Sequence, residues 1–200
     1  MHYYKYIKPI IVLKLSILFL ISCHAEELDE KSNFMQFNVD VKLLSTSIYL
    51  DSTNISLRPP IGWDLILDSE FKQLSESIHD GNNIFDINLN KAFKSMDGAL
   101  LIISQVQSKA ENFSYIPPNY IEILSQQFSI KDIPSLKFPI NKIPILQYLI
   151  NTDEYVIIRI FVGNNLNYQL DYIIPRHIYE KELKKIESSI GSINKQKEKT

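Results

Sequence analysis

The stretch IPILQYLINTDEYVIIRIFVGNNLNYQLDYII, residues 143–174, decides the fold. Residues 143–150 and 155–162 are apolar on both faces, which is typical of central strands that other elements cover on each side. The residues that separate the runs, including Gly163, favour turns. A third strand is predicted over 167–174. These runs therefore predict neighbouring strands at the centre of a buried sheet.

Three amphipathic helices are predicted from apolar residues at helical spacing. Their positions are a helix begun by Asp68 or Ser69 and ended before Gly81, a helix opened by Pro117-Pro118, and a helix over 176–193. Their apolar stripes are, in the same order, Phe71, Leu74 and Ile78; Ile121, Leu124 and Phe128; and Tyr179, Leu183, Ile186, Ile190 and Ile193. Each stripe predicts the helix face that packs on the sheet.

Six further strands are predicted in the part of the chain that precedes the second helix. They cover 35–43, 48–50, 55–58, 63–67, 84–94 and 99–107. Asp97-Gly98 between the last two is a strong hairpin signal, and alternating apolar residues support the first. Residues 130–142 are predicted to be irregular, because Pro134 and Pro139 interrupt them.

Arg159 is a candidate binding residue, because it interrupts an otherwise apolar strand. A buried guanidinium needs a partner. Asp171 on the next strand would share its face if the connection between the strands has an odd number of residues. One interpretation is therefore an ion pair, or an arginine whose charged end reaches water. The functional interpretation is a contact with the carboxylate of a ligand.

Trp63 is the second candidate for binding. It is the only tryptophan, and aromatic residues are enriched at protein interfaces. Core packing is the default explanation for Trp63 and for the tyrosines of the domain. Strands that end near Pro175 could still leave a groove beside them.

The first residues of the chain predict export and attachment to a membrane. Lys5 and Lys8 precede an apolar run over 10–21 that is shorter than the about 20 residues of a spanning helix. Leu20-Ile21-Ser22-Cys23 then resembles the lipobox of bacterial lipoproteins, which implies cleavage before Cys23 and lipidation of its thiol. The alternative is an ordinary secretory signal with a chance cysteine.

The predicted segments are a signal peptide over 1–22, lipidated Cys23 with a flexible tether to 33, one globular domain over 34–194, and a charged tail over 195–200. These segments predict that the protein is located in the bacterial cell envelope, at either the inner or the outer membrane.

Composition excludes several classes of function. Without the three lysines of the signal peptide, the chain has 18 basic and 23 acidic residues, a formal charge of −5, which argues against a nucleic-acid partner. His24, His79 and His177 are too scattered to predict a metal site. No catalytic motif and no cofactor are predicted, and Cys23 is the only cysteine.

One family resemblance covers roughly residues 55–193. Pro59, Pro60, Gly62, Trp63 and Asp64 form a turn between two short strands, and a strand ended by Pro175 precedes the last helix. With the order of elements, this resembles the PsbP-like α/β/α sandwich. The resemblance implies an α/β (α+β) domain with a central, mainly antiparallel sheet of about six to seven strands flanked by helices. It implies binding or accessory roles and no shared catalytic residues.

Two hypotheses of function follow. The first is a non-enzymatic envelope lipoprotein, attached to the membrane through Cys23, whose domain binds a partner protein. The alternative is a small-ligand or lipid-binding module, or a weak hydrolase, with a pocket between sheet and helix.

Overall fold

Two antiparallel sheets and three α-helices form the domain in a computed structural model, which describes residues 37–50, 54–80, 85–108, 116, 119–163 and 167–195. The strands are β1 (Ile48–Tyr49), β2 (Ile55–Leu57), β3 (Trp63–Leu65), β4 (Phe85–Ser95), β5 (Leu100–Ser108), β6 (Ser135–Ile140), β7 (Ile143–Asn151), β8 (Tyr155–Val162), β9 (Tyr168–Pro175) and β10 (Asn194–Lys195). The helices are α1 (Asp68–Asp80), α2 (Tyr120–Phe128) and α3 (Tyr179–Gly191).

The larger sheet has seven strands in the order β3-β4-β5-β9-β8-β7-β6, and every neighbouring pair is antiparallel. The runs over 143–174 supply β7, β8 and β9, so the predicted central strands are confirmed. The smaller sheet has the order β1-β2-β10. The predicted α+β class with a central sheet flanked by helices is confirmed.

Helices cover both faces of the larger sheet. On one face, Ile186 and Ile190 of α3 and Leu57 of the smaller sheet are buried against β9 residues such as Leu170. On the other face, Leu124 of α2 is buried and Ile78 of α1 is half-buried. Packing on both sides explains why β7, β8 and β9 carry apolar residues in nearly every position.

Two turns set the positions of the hairpins. Gly98 has φ of +88° between β4 and β5, which confirms the predicted Asp97-Gly98 hairpin. Asn141 and Lys142 both have positive φ, 48° and 67°, between β6 and β7. Two central residues with positive φ are the mark of a tight hairpin turn, which asparagine favours.

The strand before this second turn shows that the prediction for 130–142 was wrong. This segment contains β6, which pairs with β7 from Ser135 to Ile140 and includes Pro139. A proline lacks the N–H that a strand contributes to a neighbour, so it is tolerated on an edge strand. β6 lies at the edge of the sheet, and the prediction of an irregular segment was wrong because it treated proline as a barrier to any strand.

The predicted strand over 35–43 was also wrong. Residues 37–40 are not in a strand, and a 3-10 helix covers Val41–Leu43. Phe37 packs on the core, with its ring centroid 5.8 Å from that of Phe138. The Asp40 N–H donates to Ser188 Oγ on α3. The segment therefore packs against a helix without pairing with a strand.

Smaller differences concern helix faces and the end of the chain. The buried face of α2 includes Tyr120 and Leu124, whereas the predicted Ile121 is 38% exposed. Lys195 lies in β10, although a frayed tail was predicted to begin there. The predicted signal peptide, Cys23 and the predicted tether lie outside the described residues. In the described part of the chain, no helix is both long and apolar enough to span a membrane.

Candidate functional site

A buried ion pair marks the sheet face under α1 and α2. Arg159 on β8 and Asp171 on β9 are directly opposite each other, because five residues, 163–167, connect Val162 to its partner Tyr168. Arg159 Nε donates to Asp171 Oδ1 at 2.8 Å, and Nη2 donates to Oδ2 at 2.9 Å. The side chains are only 12% and 8% exposed. The predicted ion pair is confirmed.

Tyr120 accepts a third hydrogen bond from the guanidinium. Arg159 Nη1 donates to Tyr120 Oη at 2.9 Å, and the tyrosine is 2% exposed. Burial alone would lower the pKa of Arg159, but Asp171 and Tyr120 outweigh it and raise that pKa. Burial also raises the pKa of Tyr120. At neutral pH the phenol is therefore protonated and the arginine charged, with the charge balanced by Asp171.

Aromatic rings of β7 and β8 pack against this cluster. The Tyr120 ring lies 5.3 Å from that of Tyr148 and 5.6 Å from that of Phe161, both in edge-to-face geometry. Burial, followed by the neighbouring Tyr120, raises the pKa of Tyr148 to about 12. Packed rings of this kind restrict the rotamers of their neighbours. The position of Tyr120 Oη is therefore fixed by packing as well as by its hydrogen bond.

Gln169 is the unusual member of the group. Its Nε2 donates to Asp171 Oδ2 at 2.8 Å. The residue is 4% exposed, and its Oε1 is buried without a hydrogen-bond partner among the residues that the structure describes. A carboxylate only accepts hydrogen bonds, so Asp171 fixes which end of the amide faces it. The unpaired atom is therefore an acceptor.

A cavity of about 220 Å³ lies beside these groups. It is bounded by Ser77 and Ile78 of α1, Ile87 of β4, Ile102 and Ser104 of β5, Gln127 of α2, Arg159 of β8, and Gln169, Asp171 and Ile173 of β9. Its wall is mixed, with isoleucines on one part and hydrogen-bonding groups on another. The Arg159 to Asp171 pair in the wall has no net charge. The cavity therefore offers a ligand hydrogen bonds and apolar contacts and no excess charge.

Trp63 lies on the opposite face of the sheet and is 4% exposed. Its ring centroid is 6.3 Å from that of Tyr172, and its Nε1 donates to Glu182 Oε2 at 3.0 Å. Lys185 Nζ lies 2.9 Å from the other oxygen of Glu182. The structure therefore does not bring Trp63 and Arg159 together, and Trp63 packs in the core.

The remaining predictions concern Cys23 and metals. Cys23 lies outside the described residues, as does the side chain of His79. In the described part of the chain, no cluster of histidine, cysteine, aspartate or glutamate is placed to hold a metal ion.

Sequence reasoning missed Tyr120 and Gln169. Tyr120 and Leu124 are four residues apart, so helical spacing already placed the tyrosine on the buried stripe. Gln169 and Asp171 are two residues apart on a strand, which puts both on the face of Arg159. Comparison with known protein families gives no match, and no curated protein matches the chain. The PsbP-like resemblance stays a prediction.

Proposed function

We propose that this protein is a bacterial envelope lipoprotein, anchored in the inner or outer membrane through lipidated Cys23, whose domain is a non-enzymatic module that binds a partner protein. The observation that carries the proposal is the tetrapeptide Leu20-Ile21-Ser22-Cys23 behind a charged and then apolar leader. One acyl chain holds a protein only marginally, whereas two or more give stable attachment. The PsbP-like resemblance, with its accessory roles, agrees with this proposal.

Replacement of the cysteine tests attachment. Cys23→Ala should abolish labelling by a fatty-acid analogue and move the protein to the soluble fraction. Ser22→Ala is the matched control, because it keeps a small residue before the cysteine and should leave labelling intact. Membrane attachment that persists in Cys23→Ala at the wild-type level would overturn the proposal.

The exposed apolar side chains at one edge of the larger sheet favour a protein partner. Leu65 of β3 is 46% exposed, and Ile61 and Leu67 flank the same strand. Met96 follows Ser95, which pairs with Trp63, and is 97% exposed. Among the described strands β3 lies at the edge of the sheet, with no neighbour on one side, and such an edge can pair with a strand of another protein. Such an edge offers a partner both backbone hydrogen bonds and apolar contacts.

Site-specific photo-crosslinking in intact cells tests this edge against the other one. A photoreactive amino acid at Leu65 should give a reproducible adduct with one protein. The control position is Leu136 on β6, the opposite edge strand, which is 48% exposed. Pro139 and Lys137 on β6 discourage strand pairing. Equal adducts at both positions, or none at Leu65, would count against partner binding at β3.

A second candidate function is the binding of a small ligand in the cavity between α1 and the sheet. The specific observation that favours it is the buried, unpaired Oε1 of Gln169 beside a cavity of about 220 Å³. Buried polar atoms in folded proteins almost always have a partner, so an orphan acceptor indicates a missing one. Saturable binding of a small molecule to the folded protein would separate this function from a purely structural cluster.

A further inference from the structure

We propose that the cavity beside Gln169 binds a small, electrically neutral molecule that carries an N–H or O–H donor and a compact apolar group. This inference rests on the second candidate function and specifies its ligand class. It is independent of attachment through Cys23 and of partner binding at β3. The donor, the neutral charge, and the apolar group together with the small size follow from three different parts of the cavity wall.

The requirement for a donor comes from the orientation of the Gln169 amide. Its Nε2 is held by Asp171 Oδ2, which turns Oε1 away from the ion pair. In the part of the chain that the structure describes, no donor reaches that Oε1. Rotating the amide would place its oxygen against a carboxylate, where it could not form a hydrogen bond. The missing partner is therefore a donor. A water molecule could supply it, so the proposal requires that a bound molecule with a donor occupies the cavity instead.

The requirement for neutrality comes from the ion pair. Both oxygens of Asp171 accept from Arg159, and Oδ2 also accepts from Gln169. The third Arg159 contact is to Tyr120. A ligand carboxylate would lie beside the like charge of Asp171, and a ligand cation would lie beside the like charge of the Arg159 guanidinium. An unbalanced charge brought into this buried site would carry its full desolvation cost. The earlier idea that Arg159 binds a ligand carboxylate is therefore less favourable than recognition by Gln169.

The apolar group and the small size come from the remaining wall. Ile87, Ile102 and Ile173 extend from three strands of the sheet, and Ile78 of α1 faces them. A volume of about 220 Å³ is below the roughly 300 Å³ at which pockets for drug-sized ligands begin. A branched amide or alcohol of a few carbon atoms matches both the volume and the mixture of surfaces.

Three probes of nearly equal shape test the proposal. They are isobutyramide, which is neutral and donates; 3-methyl-2-butanone, which is neutral without a donor; and isobutyrate, which is an anion. Each is titrated into the full chain in detergent micelles, with the isoleucine methyl groups observed by NMR. Isobutyramide should give saturable shifts at Ile102 and Ile173. The other two probes should bind roughly tenfold more weakly, since each lacks one hydrogen bond or adds a charge.

Two variants test whether Gln169 is the residue that causes the preference for isobutyramide. Gln169→Leu should remove the preference for isobutyramide, and Gln105→Leu, at an exposed position of β5, should leave it unchanged. The comparison of probes on the unmodified chain needs no variant to fold. Equal or tighter binding of isobutyrate or 3-methyl-2-butanone would overturn the ligand class and leave ligand binding standing. Absence of saturable shifts with all three probes would overturn both, without bearing on the Cys23 or β3 proposals.

Discussion

Removing Arg159 should destabilise the domain far more than removing a lysine from an ion pair of equal length at the surface. The Arg159 to Asp171 pair has side-chain exposures of 12% and 8% and a shortest distance of 2.8 Å. The Lys94 to Glu70 pair has a distance of 2.7 Å but exposures of 48% and 56%. The two pairs therefore differ in burial and hardly at all in length.

Burial decides the magnitude. Arg159→Met leaves the Asp171 carboxylate buried without its balancing charge, which costs about 3–5 kcal/mol in free energy of unfolding. Lys94→Met leaves a solvated carboxylate and should cost about 0–1 kcal/mol. For a domain of this size the first loss corresponds to a fall in melting temperature of roughly 6–20 °C. Urea unfolding followed by the fluorescence of Trp63, the only tryptophan, measures both variants.

A double-mutant cycle separates the pair from its surroundings. Asp171→Asn keeps an acceptor for Gln169 but leaves Arg159 charged and uncompensated, so it should also be costly. The double variant Arg159→Met with Asp171→Asn contains no buried charge at this place and should lose much less than the sum of the two single losses. Additivity within about 0.5 kcal/mol would show that the two residues do not interact. A loss below about 1 kcal/mol for Arg159→Met would refute the assignment of a buried pair.

Two further predictions concern α3. The pKa of Asp97 is lowered, first by a hydrogen bond from Lys181 and then by its charge. A carboxyl whose pKa is lower in the folded state stabilises the fold at pH values above its unfolded pKa, and this stabilisation is lost as the pH falls through its folded pKa. Because Lys181 causes the shift, Lys181→Met should raise the Asp97 pKa in a carboxyl NMR titration, whereas Lys184→Met should leave it unchanged. Gly191→Ala would usually stabilise a helix by about 1 kcal/mol. Here the new Cβ would lie 2.5 Å from Phe37 Cβ, so urea unfolding should show a loss of about 1–3 kcal/mol, and a gain would contradict the packing.

The central strands and the ion pair could be predicted because each depends on local periodicity. Residues that alternate across a strand fix its two faces, and an odd connection fixes which residues of adjacent strands share a face. Arg159 and Asp171 follow from these two rules alone, since 163–167 is five residues long. The prediction needed no knowledge of the helices above them.

Other features depend on partners that are distant in sequence. Phe37 and Val39 alternate as a strand would, but both lie against Gly191, where the absence of a side chain on α3 leaves room for them. Pro139 is compatible with β6 only because β6 has a neighbour on one side. Neither the empty space on a helix nor the edge position of a strand is visible in a local pattern.

The position of Gln169 could be predicted from the sequence, whereas the unpaired state of its Oε1 among the described residues could not. Strand periodicity places the residue on the face of Asp171, and the carboxylate then dictates the direction of the amide. An apolar side chain at position 169 would leave no buried polar atom unpaired, and the Arg159 to Asp171 pair would keep its two hydrogen bonds. In glutamine, by contrast, the hydrogen bond from Nε2 to the Asp171 carboxylate, worth about 1.5–3 kcal/mol, offsets a cost of about 1–3 kcal/mol for the buried Oε1 that has no partner among the described residues. A donor bound in the adjacent cavity, as we propose, would pair Oε1 and remove this cost.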